Sequence, residues 1–574
     1  MESTKYSPMQ RFWRLLKPDR ADIRNVYVYA IFNGLINLSL PLGIQAIVNL
    51  IQGGQINTSW VVLVAIVVLG VGLSGVLQIF QLRIVENLQQ KIFTRAAFEF
   101  AYRIPKIRLE ALYKKYAPEL MNRFFDVMSL QKGLTKILID FSAAILQMVF
   151  GLILLSFYHP FFILFSLILV VFVFIVFRLT AAIGLAKSLE ESKNKYKVAY
   201  WLEELARTSS TFKLAGKSSL PLQKTDKAVG KYLDAREEHF SILVRQYSLM
   251  VIFKVIIVTG LLAIGGILVM EQLMNIGQFV AAEIIILLII TSVEKIVLSI
   301  ETIYDVLTGL EKIGQVTDLE LENDEGVDLS QECQETPVYL KFDQVSFIYP
   351  GNKQKSLNNV SFEVSSGERI MVTGGNLSGK STLLQIVAGL YDVNDGTISY
   401  QGLSKRSISS ESLRSIMGDC LSQEQLFEGT ILENLTLNDP TISLKDVKQV
   451  LKDLGISDFI GQLYDGLETE IEPQGANLPR SIGQLLLIAR GVVKRPKILL
   501  LEDALEHLDE KHRKCVIDYI TDPARNWTLM ASSTDSYLAS KSDRLFLMED
   551  GEVVKVGSYE ELKSTLNLKN NGHA

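Results

Sequence analysis

The sequence predicts a multidomain chain of 574 residues, in which an all-α domain of six membrane-spanning helices precedes an α/β domain. Hydrophobic residues make up 48% of the chain and charged residues 21%, and the mean hydropathy is +0.23. These values fit together because the two kinds of residue are segregated along the chain. Long apolar runs end near residue 300, whereas short strands and helices alternate from Val338 onward, as in a soluble α/β domain.

Six apolar segments are each long enough, at about 20 residues, to cross the hydrocarbon core of a bilayer. They are 26–50, 60–80, 134–158, 161–183, 248–269 and 279–300. Three connections between them contain no Lys or Arg, whereas the N-terminal segment and the two long connections are rich in both. These Lys- and Arg-rich regions are 1–22, 81–133 and 184–247. The positive-inside rule therefore predicts a multi-pass membrane protein with both termini in the cytoplasm. We expect this membrane to be the plasma (inner) membrane.

The two long connections have helical periodicity, which predicts that the spans continue as helices beyond the bilayer. Each connection then turns around a short segment, at 106–113 in the first and 208–216 in the second. Residues 9–16 form an amphipathic stretch, for which two interpretations stay open. Its tryptophan and arginines could lie at the membrane interface, or the stretch could be a plain helix that leads into the first span.

The charged residues within or at the edge of the spans include Lys254, Glu283, Glu294 and Lys295. Because a charge in hydrocarbon is unfavourable, such residues usually face a cavity or a partner. One interpretation is a polar transport pathway, for which Glu283 is the main candidate. The other is pairing between helices, or snorkelling of the lysines toward the membrane surface.

The predicted domain boundaries follow from these changes in composition. The predicted parts are an N-terminal segment (1–22), a six-helix membrane domain (23–309), an acidic linker (310–337), an α/β nucleotide-binding domain (338–566) and a disordered tail (567–574). The net charge of −5 gives no indication of nucleic-acid binding. The three cysteines, Cys333, Cys420 and Cys515, are too few for a disulfide framework or a zinc site.

The second domain contains a complete phosphate-binding pattern, G-x-x-x-x-G-K-S, which starts at Gly374 after a predicted strand and ends where a helix begins. Glycines let backbone N–H groups approach phosphate oxygens, and the N-terminus of the helix favours negative charge. Lys380 would reach the β- and γ-phosphates, and the Ser381 hydroxyl would ligate Mg²⁺. The residues that we assign to nucleotide binding in this loop are Gly374, Asn376, Ser378, Gly379, Lys380, Ser381 and Thr382.

Three further features surround this loop in the sequence. Tyr349 ends a predicted strand before the loop, where an aromatic ring could stack on a base. Gln423 follows a short apolar strand after it. A buried strand, 498–503, ends in the carboxylate pair Glu502 and Asp503.

Six spans with helical extensions, followed by these motifs in this order, resemble a half-size ABC exporter, and the resemblance covers nearly the whole chain. It implies ATP and Mg²⁺ as cofactors, with Tyr349 stacking on adenine, Glu502 and Gln423 at the metal, and Gln423 also sensing the attacking water. Segments 106–113 and 208–216 would be coupling helices. A second half-transporter is implied as partner, because each ATP is held between one phosphate loop and the signature sequence of the other chain.

The sequence departs from this family at the catalytic positions. In the ungapped register the signature falls on Leu478, Pro479, Arg480, Ser481 and Ile482. A shifted register over 481–484 recovers part of the motif but needs a two-residue slip. Asp503 stands where the family has a catalytic glutamate, and Ser532 stands where it has a histidine. The sequence therefore predicts intact ATP binding and altered hydrolysis.

Two functional hypotheses stay open. The first is an ATP-driven exporter with slow hydrolysis, in a homodimer or a heterodimer, that moves a polypeptide, a lipid or a small amphiphile. Segments 201–207 and 275–279 loosely resemble the type I secretion branch, which works with a periplasmic adaptor protein. The second is an ATP-gated scaffold or regulatory half of a transporter complex, which binds ATP and scarcely hydrolyses it.

Overall fold

In the computed structural model of the chain, the described residues are 6–52, 58–113, 115–332, 336–422 and 424–564. They divide into two units. The first consists of Met1–Pro105 and Lys115–Leu319, and the second of Lys106–Lys114 and Glu320–Ala574. The division falls later than the predicted boundary at residue 309, because the last long helix continues past it. Segment 106–114 belongs to the second unit although it lies between two helices of the first.

The described part of the first unit is built from α-helices. They are α1 (Pro8–Leu16), α2 (Arg20–Asn37), α3 (Ser39–Gln52), α4 (Thr58–Arg103), α6 (Ala117–Met121), α7 (Asp126–Thr135), α8 (Ser142–Ser156), α9 (Pro160–Arg207), α10 (Ser209–Leu214), α11 (Leu220–Met270) and α12 (Ile276–Thr317). The short helix α5 (Leu109–Leu112) lies in segment 106–114 of the second unit.

Six helical stretches of this unit are long and apolar enough to cross a membrane, which confirms the predicted number. Helices α4, α9 and α11 contain 46, 48 and 51 residues. Only about 20 residues are needed to span the hydrocarbon core, so these helices extend well beyond a bilayer. The protein is therefore a multi-pass membrane protein with an all-α membrane domain.

The N-terminal helix α1 presents two different faces. The side chain of Trp13 is 65% exposed. Arg11, in contrast, is buried, and its guanidinium forms ion pairs with Asp318 at 2.5 Å and Glu311 at 3.6 Å. The expectation that the arginines of this stretch face lipid phosphates is therefore wrong for Arg11, because its charge is already neutralised within the protein.

The charged residues of the spans are partly explained by pairing between helices. The Lys254 ammonium on α11 lies 2.8 Å from the Glu294 carboxylate on α12. For these two residues the structure agrees with the pairing interpretation. Among the described side chains, Glu283 has no hydrogen bond or ion pair, and it is half-buried. Glu283 therefore stays the candidate for a polar pathway.

Close helix packing beside the membrane depends on a glycine of α9. A Cβ atom at Gly184 would lie 2.4 Å from the Tyr304 ring on α12, and that ring is 3% exposed. We expect Gly184→Ala to destabilise the protein by about 1–3 kcal/mol, since overpacking forces a rigid ring to move. The measurement is the unfolding temperature of the purified protein in lipid.

The matched control for this substitution is Gly230→Ala. No atom lies within 4 Å of a Cβ built at Gly230, which is also inside a long helix. Alanine favours a helix interior over glycine by about 0.5–1 kcal/mol, so this control should leave the unfolding temperature unchanged or raise it. Equal effects of the two substitutions would contradict the packing described here.

The second unit is an α/β domain. Its strands are β1 (Leu340–Phe347), β2 (Leu357–Val364), β3 (Arg369–Gly374), β4 (Asp395–Tyr400), β5 (Leu403–Ser404), β6 (Met417–Cys420), β7 (Gly429–Thr430), β8 (Glu470–Ile471), β9 (Ile498–Glu502), β10 (Thr528–Ser532), β11 (Arg544–Glu549) and β12 (Glu552–Gly557). Its further helices are α13 (Leu329–Glu332), α14 (Lys380–Val387), α15 (Ser410–Ser415), α16 (Ile431–Thr436), α17 (Leu444–Asp453), α18 (Ser457–Gln462), α19 (Arg480–Val493), α20 (Glu510–Ile520), α21 (Ser536–Lys541) and α22 (Tyr559–Leu562).

The largest sheet has the strand order β12-β11-β3-β10-β9-β6. Strands β3, β10 and β9 pair in parallel, and their central residues are buried, as the continuous apolar runs predict. The register places Ser532 opposite Glu502 on one side and opposite Val372 on the other. Because the carboxyl ends of parallel strands share one edge, the ends of β3, β9 and β10 meet where β3 leads into the glycine loop.

Candidate nucleotide-binding site

The loop between β3 and α14 requires glycine at two of its positions. Gly374 has φ +153°, and a Cβ there would lie 2.2 Å from the carbonyl oxygen of Met548. Gly379 has φ +101°, and a Cβ there would lie 2.7 Å from the carbonyl oxygen of Ser356. Glycine is therefore required both by backbone conformation and by close approach of neighbouring backbone.

The side chain of Lys380 curls into this loop. Its Nζ atom donates to the carbonyl oxygens of Gly374 at 3.0 Å and Gly375 at 2.8 Å, and it lies 3.4 Å from Ser378 Oγ. This loop combines a positive charge with backbone N–H groups at the start of helix α14. Such a combination is suited to binding a polyphosphate. The predicted binding residues Asn376 and Ser381 are exposed at the same loop, whereas Ser378 and Thr382 are buried.

The carboxylate pair lies at the end of β9, on the edge where the loop begins. Glu502 is 4% exposed, and its Oε2 accepts a hydrogen bond of 3.1 Å from the backbone N–H of Ser422. A carboxylate and the Ser381 hydroxyl are oxygen ligands of the kind that Mg²⁺ prefers. The residues present therefore fit ATP and Mg²⁺, with Lys380 for the phosphates and Ser381 and Glu502 for the metal.

Asp503 has an unusual backbone and a specific partner. Its φ is +48°, which is uncommon for a residue other than glycine and is often found at functional sites. Its N–H donates to the carbonyl oxygen of Ser532 at 3.0 Å, and its Oδ1 accepts from the Ser532 hydroxyl at 3.2 Å. The structure thus brings together the two predicted catalytic residues at the ends of β9 and β10.

The electrostatic surroundings of Asp503 change its protonation. Partial burial, followed by the negative charge of Glu506, raises the pKa of the Asp503 carboxyl. The hydrogen bond from Ser532 and the charge of Lys380 act in the opposite direction. Because the net shift is upward, Asp503 stays protonated to a higher pH than an ordinary aspartate.

Tyr349, the predicted base-stacking residue, lies against the helix that follows the loop. Its hydroxyl lies 3.1 Å from Thr382 Oγ1 and donates to Gln385 Oε1 at 2.9 Å. These bonds fix the ring beside α14. Sequence reasoning missed its aromatic neighbour Tyr113, which stacks on it, because the two residues are far apart in the chain.

The proposed signature residues lie at the start of α19. Arg480 is the first residue of this helix, and Pro479 precedes it in an extended conformation. Both are exposed, whereas Ile482 is 8% exposed and packs in the core with Leu478 against it. Ser481 is half-buried in the first turn. At the exposed start of α19, Pro479 therefore offers no backbone N–H and Arg480 presents a long, positively charged side chain.

Gln423 lies outside the described residues, so its predicted role at the metal stays a prediction. Its neighbour Glu424 accepts a hydrogen bond of 3.0 Å from the N–H of Leu421. Burial, followed by the charge of Asp419, raises the pKa of Glu424 to about 7. Sequence reasoning gave no signal for this carboxyl, because its burial depends on packing across the domain.

Comparison with known families agrees with the two parts of the chain. The family described as "ABC transporter transmembrane region" matches residues 24–293, and the family described as "ABC transporter" matches residues 357–506. The chain has the architecture of a half-size ABC exporter. The second of these families implies ATP binding, typically with Mg²⁺.

Individual relatives match parts of the half-transporter. The uncharacterized ABC transporter ATP-binding protein YfiB of Bacillus subtilis (strain 168) is 33% identical over 229 residues, which are 40% of each chain. The alpha-hemolysin translocation ATP-binding protein HlyB of Escherichia coli O157:H7 is 26% identical over 365 residues, or 63% of this chain and 51% of that protein. The leukotoxin translocation ATP-binding protein LktB of Mannheimia haemolytica is 28% identical over 322 residues, or 56% and 45%. The chain thus spans about half the length of these relatives, or less.

A solved structure resembles nearly the whole chain. It is described as a bacterial Atm1-family ABC exporter with ATP bound, and it matches with a TM-score of 0.83 at 19% identity. The match covers 95% of this chain and 97% of the other. At this identity the likeness supports the fold alone, and it agrees with the predicted fold class.

Proposed function

We propose that this chain is the ATP-binding half of an export transporter in which closure of two ATP-binding domains around ATP drives export, with slow hydrolysis. One observation carries the proposal. The phosphate loop with Lys380 is complete, whereas Asp503 and Ser532 stand at the two catalytic positions beside it. The residues present therefore support binding of ATP more strongly than they support its hydrolysis.

Slow hydrolysis follows from the carboxylate of Asp503. It is one methylene shorter than the glutamate that the family has there, and it is bonded to the Ser532 hydroxyl. Misplacement of a catalytic group by about 1 Å can lower a rate on the order of 100-fold. A serine hydroxyl also lacks the charge that an imidazole can supply to a phosphate.

A second half-transporter completes each ATP site in this proposal. The exposed Pro479 and Arg480 would face the γ-phosphate held by the other chain's loop. Pro479 has no N–H to donate, and Arg480 puts a long side chain where close approach is needed. In a homodimer both sites carry these changes, whereas a heterodimer with an intact partner signature would distribute them between two unlike sites.

The substrate and the surroundings of the transporter are also proposals. The HlyB and LktB relatives are named for translocation of alpha-hemolysin and leukotoxin, and on that ground we favour a polypeptide over a lipid or small amphiphile. A periplasmic adaptor protein is a proposed partner because segments 201–207 and 275–279 loosely resemble the type I secretion branch. We place the chain in the plasma (inner) membrane, with both termini and the ATP-binding domain cytoplasmic, and we assign Glu283 to the transport pathway.

A second candidate function is an ATP-gated scaffold or regulatory half that scarcely hydrolyses ATP. The exposed end of α19 favours it, since neither Pro479 nor Arg480 reproduces the small donors of the family signature. The two candidates share ATP-dependent pairing and differ in turnover.

Pairing can be tested with two exposed positions of the site. Leu377 in the phosphate loop is fully exposed, at 101%, and Arg480 is exposed at the start of α19. We expect a Leu377→Cys and Arg480→Cys double variant, reconstituted in lipid, to form a covalent dimer with a short thiol cross-linker when ATP and Mg²⁺ are present. The measurement is the fraction of dimer on a denaturing gel.

Each single variant is the control, because one introduced thiol should find no counterpart across the pair. If the double variant gives no ATP-dependent dimer, two copies of this chain do not pair in this way. The proposal would then require a different second half-transporter, which purification from native membranes would identify.

A further inference from the structure

The Tyr349 ring has two kinds of neighbour. On one side it packs against the domain core, where Phe347 lies 4.9 Å away edge-to-face and Tyr391 lies 5.3 Å away edge-to-face. Tyr113 is its parallel neighbour, with ring centroids 5.3 Å apart and planes inclined by 14°. A parallel, offset arrangement is also the one in which a purine stacks on tyrosine.

Tyr113 comes from segment 106–114, which is not part of the continuous chain of the ATP-binding domain. The first half of the segment is firmly anchored within the second unit. The Arg108 guanidinium lies 2.5 Å from the Asp392 carboxylate, and Glu110 Oε1 accepts from the Asp392 N–H at 2.9 Å. Ile107 pairs with Leu321 in an antiparallel bridge.

The far end of the segment is held differently. Tyr113 follows helix α5, and its contacts include the Tyr349 ring and a hydrogen bond of 3.3 Å that its hydroxyl accepts from Asn352 Nδ2. Stacking between aromatic rings is worth about 0.5–1.5 kcal/mol beyond burial, which a bound base can match. A base on the Tyr349 ring would therefore replace the stacking contact that Tyr113 makes there.

We propose that Tyr113 occupies the place on the Tyr349 ring that the adenine of ATP takes, so that Tyr113 and the base compete for one stacking face. The inner side of Tyr349 belongs to the core, and its hydroxyl is fixed by Thr382 and Gln385. An incoming base thus meets the face that Tyr113 covers. This inference rests on the proposed role of Tyr349 as the adenine-stacking residue.

This competition would couple binding of the base to the membrane-spanning helices, because the segment that carries Tyr113 is continuous with two helices of the first unit. Segment 106–114 continues into α4 on one side and α6 on the other. When the base takes the Tyr349 ring, the Tyr113 end of the segment is released. Tyr113 is therefore a positioning residue, which converts occupancy of the base site into a change at the connection between these helices.

The test compares Tyr113→Ala with Tyr113→Phe in the full-length protein in lipid, using equilibrium binding of ATP and of tripolyphosphate. Removing a competing ring should tighten ATP binding about three- to ten-fold. Tyr113→Phe keeps the stacked ring and should bind ATP as the wild-type protein does. Tripolyphosphate carries no base, so its affinity should not change in either variant.

Unchanged or weaker ATP binding by Tyr113→Ala would overturn the competition. A change in tripolyphosphate binding of the same size would overturn it too, because the effect would then concern the loop and not the base. Tyr349→Ala separates this outcome from failure of the proposed role of Tyr349. If Tyr349→Ala leaves ATP and tripolyphosphate binding unaltered, Tyr349 does not stack on adenine, whatever Tyr113 does.

Discussion

We expect Lys380→Ala to lower the affinity of the protein for ATP by about 10- to 100-fold. The Lys380 ammonium lies within the curl of the phosphate loop, 2.8–3.0 Å from two of its carbonyl oxygens. A hydrogen bond to a charged group contributes about 1.5–3 kcal/mol, which corresponds to this loss. The remaining backbone donors of the loop cannot replace that charge. Equilibrium binding of labelled ATP to the protein in lipid measures the effect.

Lys341→Ala is the matched control. Lys341 is an exposed lysine on β1 of the same domain, and it pairs with Glu363 on the neighbouring strand. Removing it changes the charge of the domain by the same amount, on a strand that belongs to a different sheet from β3, the strand that leads into the phosphate loop. Equal ATP affinities of Lys380→Ala and the wild-type protein would contradict the assignment of the site.

We expect Asp503→Glu to raise the rate of ATP hydrolysis about 10- to 100-fold. The added methylene restores the side-chain length of the glutamate that the family has at this position. The longer side chain also loses the hydrogen bond of 3.2 Å that Asp503 now accepts from the Ser532 hydroxyl. Because misplacement by about 1 Å costs on the order of 100-fold, correcting it should recover a rate of that order. The measurement is kcat in lipid, with sensitivity to vanadate.

The control for this substitution is Asp343→Glu, which makes the same chemical change at an exposed position of β1. It should leave kcat unchanged. Ser532→His in the Asp503→Glu background should raise the rate further, since an imidazole can interact with the γ-phosphate. A rate that falls on Asp503→Glu would mean that the aspartate is already correctly placed.

Much of the fold could be predicted from local patterns. Each span is a predominantly apolar run of sufficient length, and the loop at Gly374 combines a strand, a glycine-rich turn and a helix within a few residues. The structure adds that Ser532 lies opposite Glu502, because parallel pairing of β9 and β10 brings their carboxyl ends to one edge. Such features depend on neighbouring residues or on one general rule of sheet topology.

Other features depend on contacts that no local pattern contains. The stacking of Tyr113 on Tyr349 and the pairing of Arg11 with Asp318 join residues that are hundreds of positions apart. The positive φ of Asp503 is set by its bonds to Ser532, since aspartate alone does not require it. The site was therefore predictable in its composition and less so in the contacts that control it.

The central claim is that this half-transporter holds ATP well and hydrolyses it slowly. The most direct test measures, on one preparation of the wild-type protein in lipid, both the ATP bound per chain and the rate of turnover. We expect about one ATP per chain and a kcat below about 0.1 per second, well under the typical enzymatic value of about 10 per second. A vanadate-sensitive turnover of about 10 per second by the wild-type protein would contradict the claim.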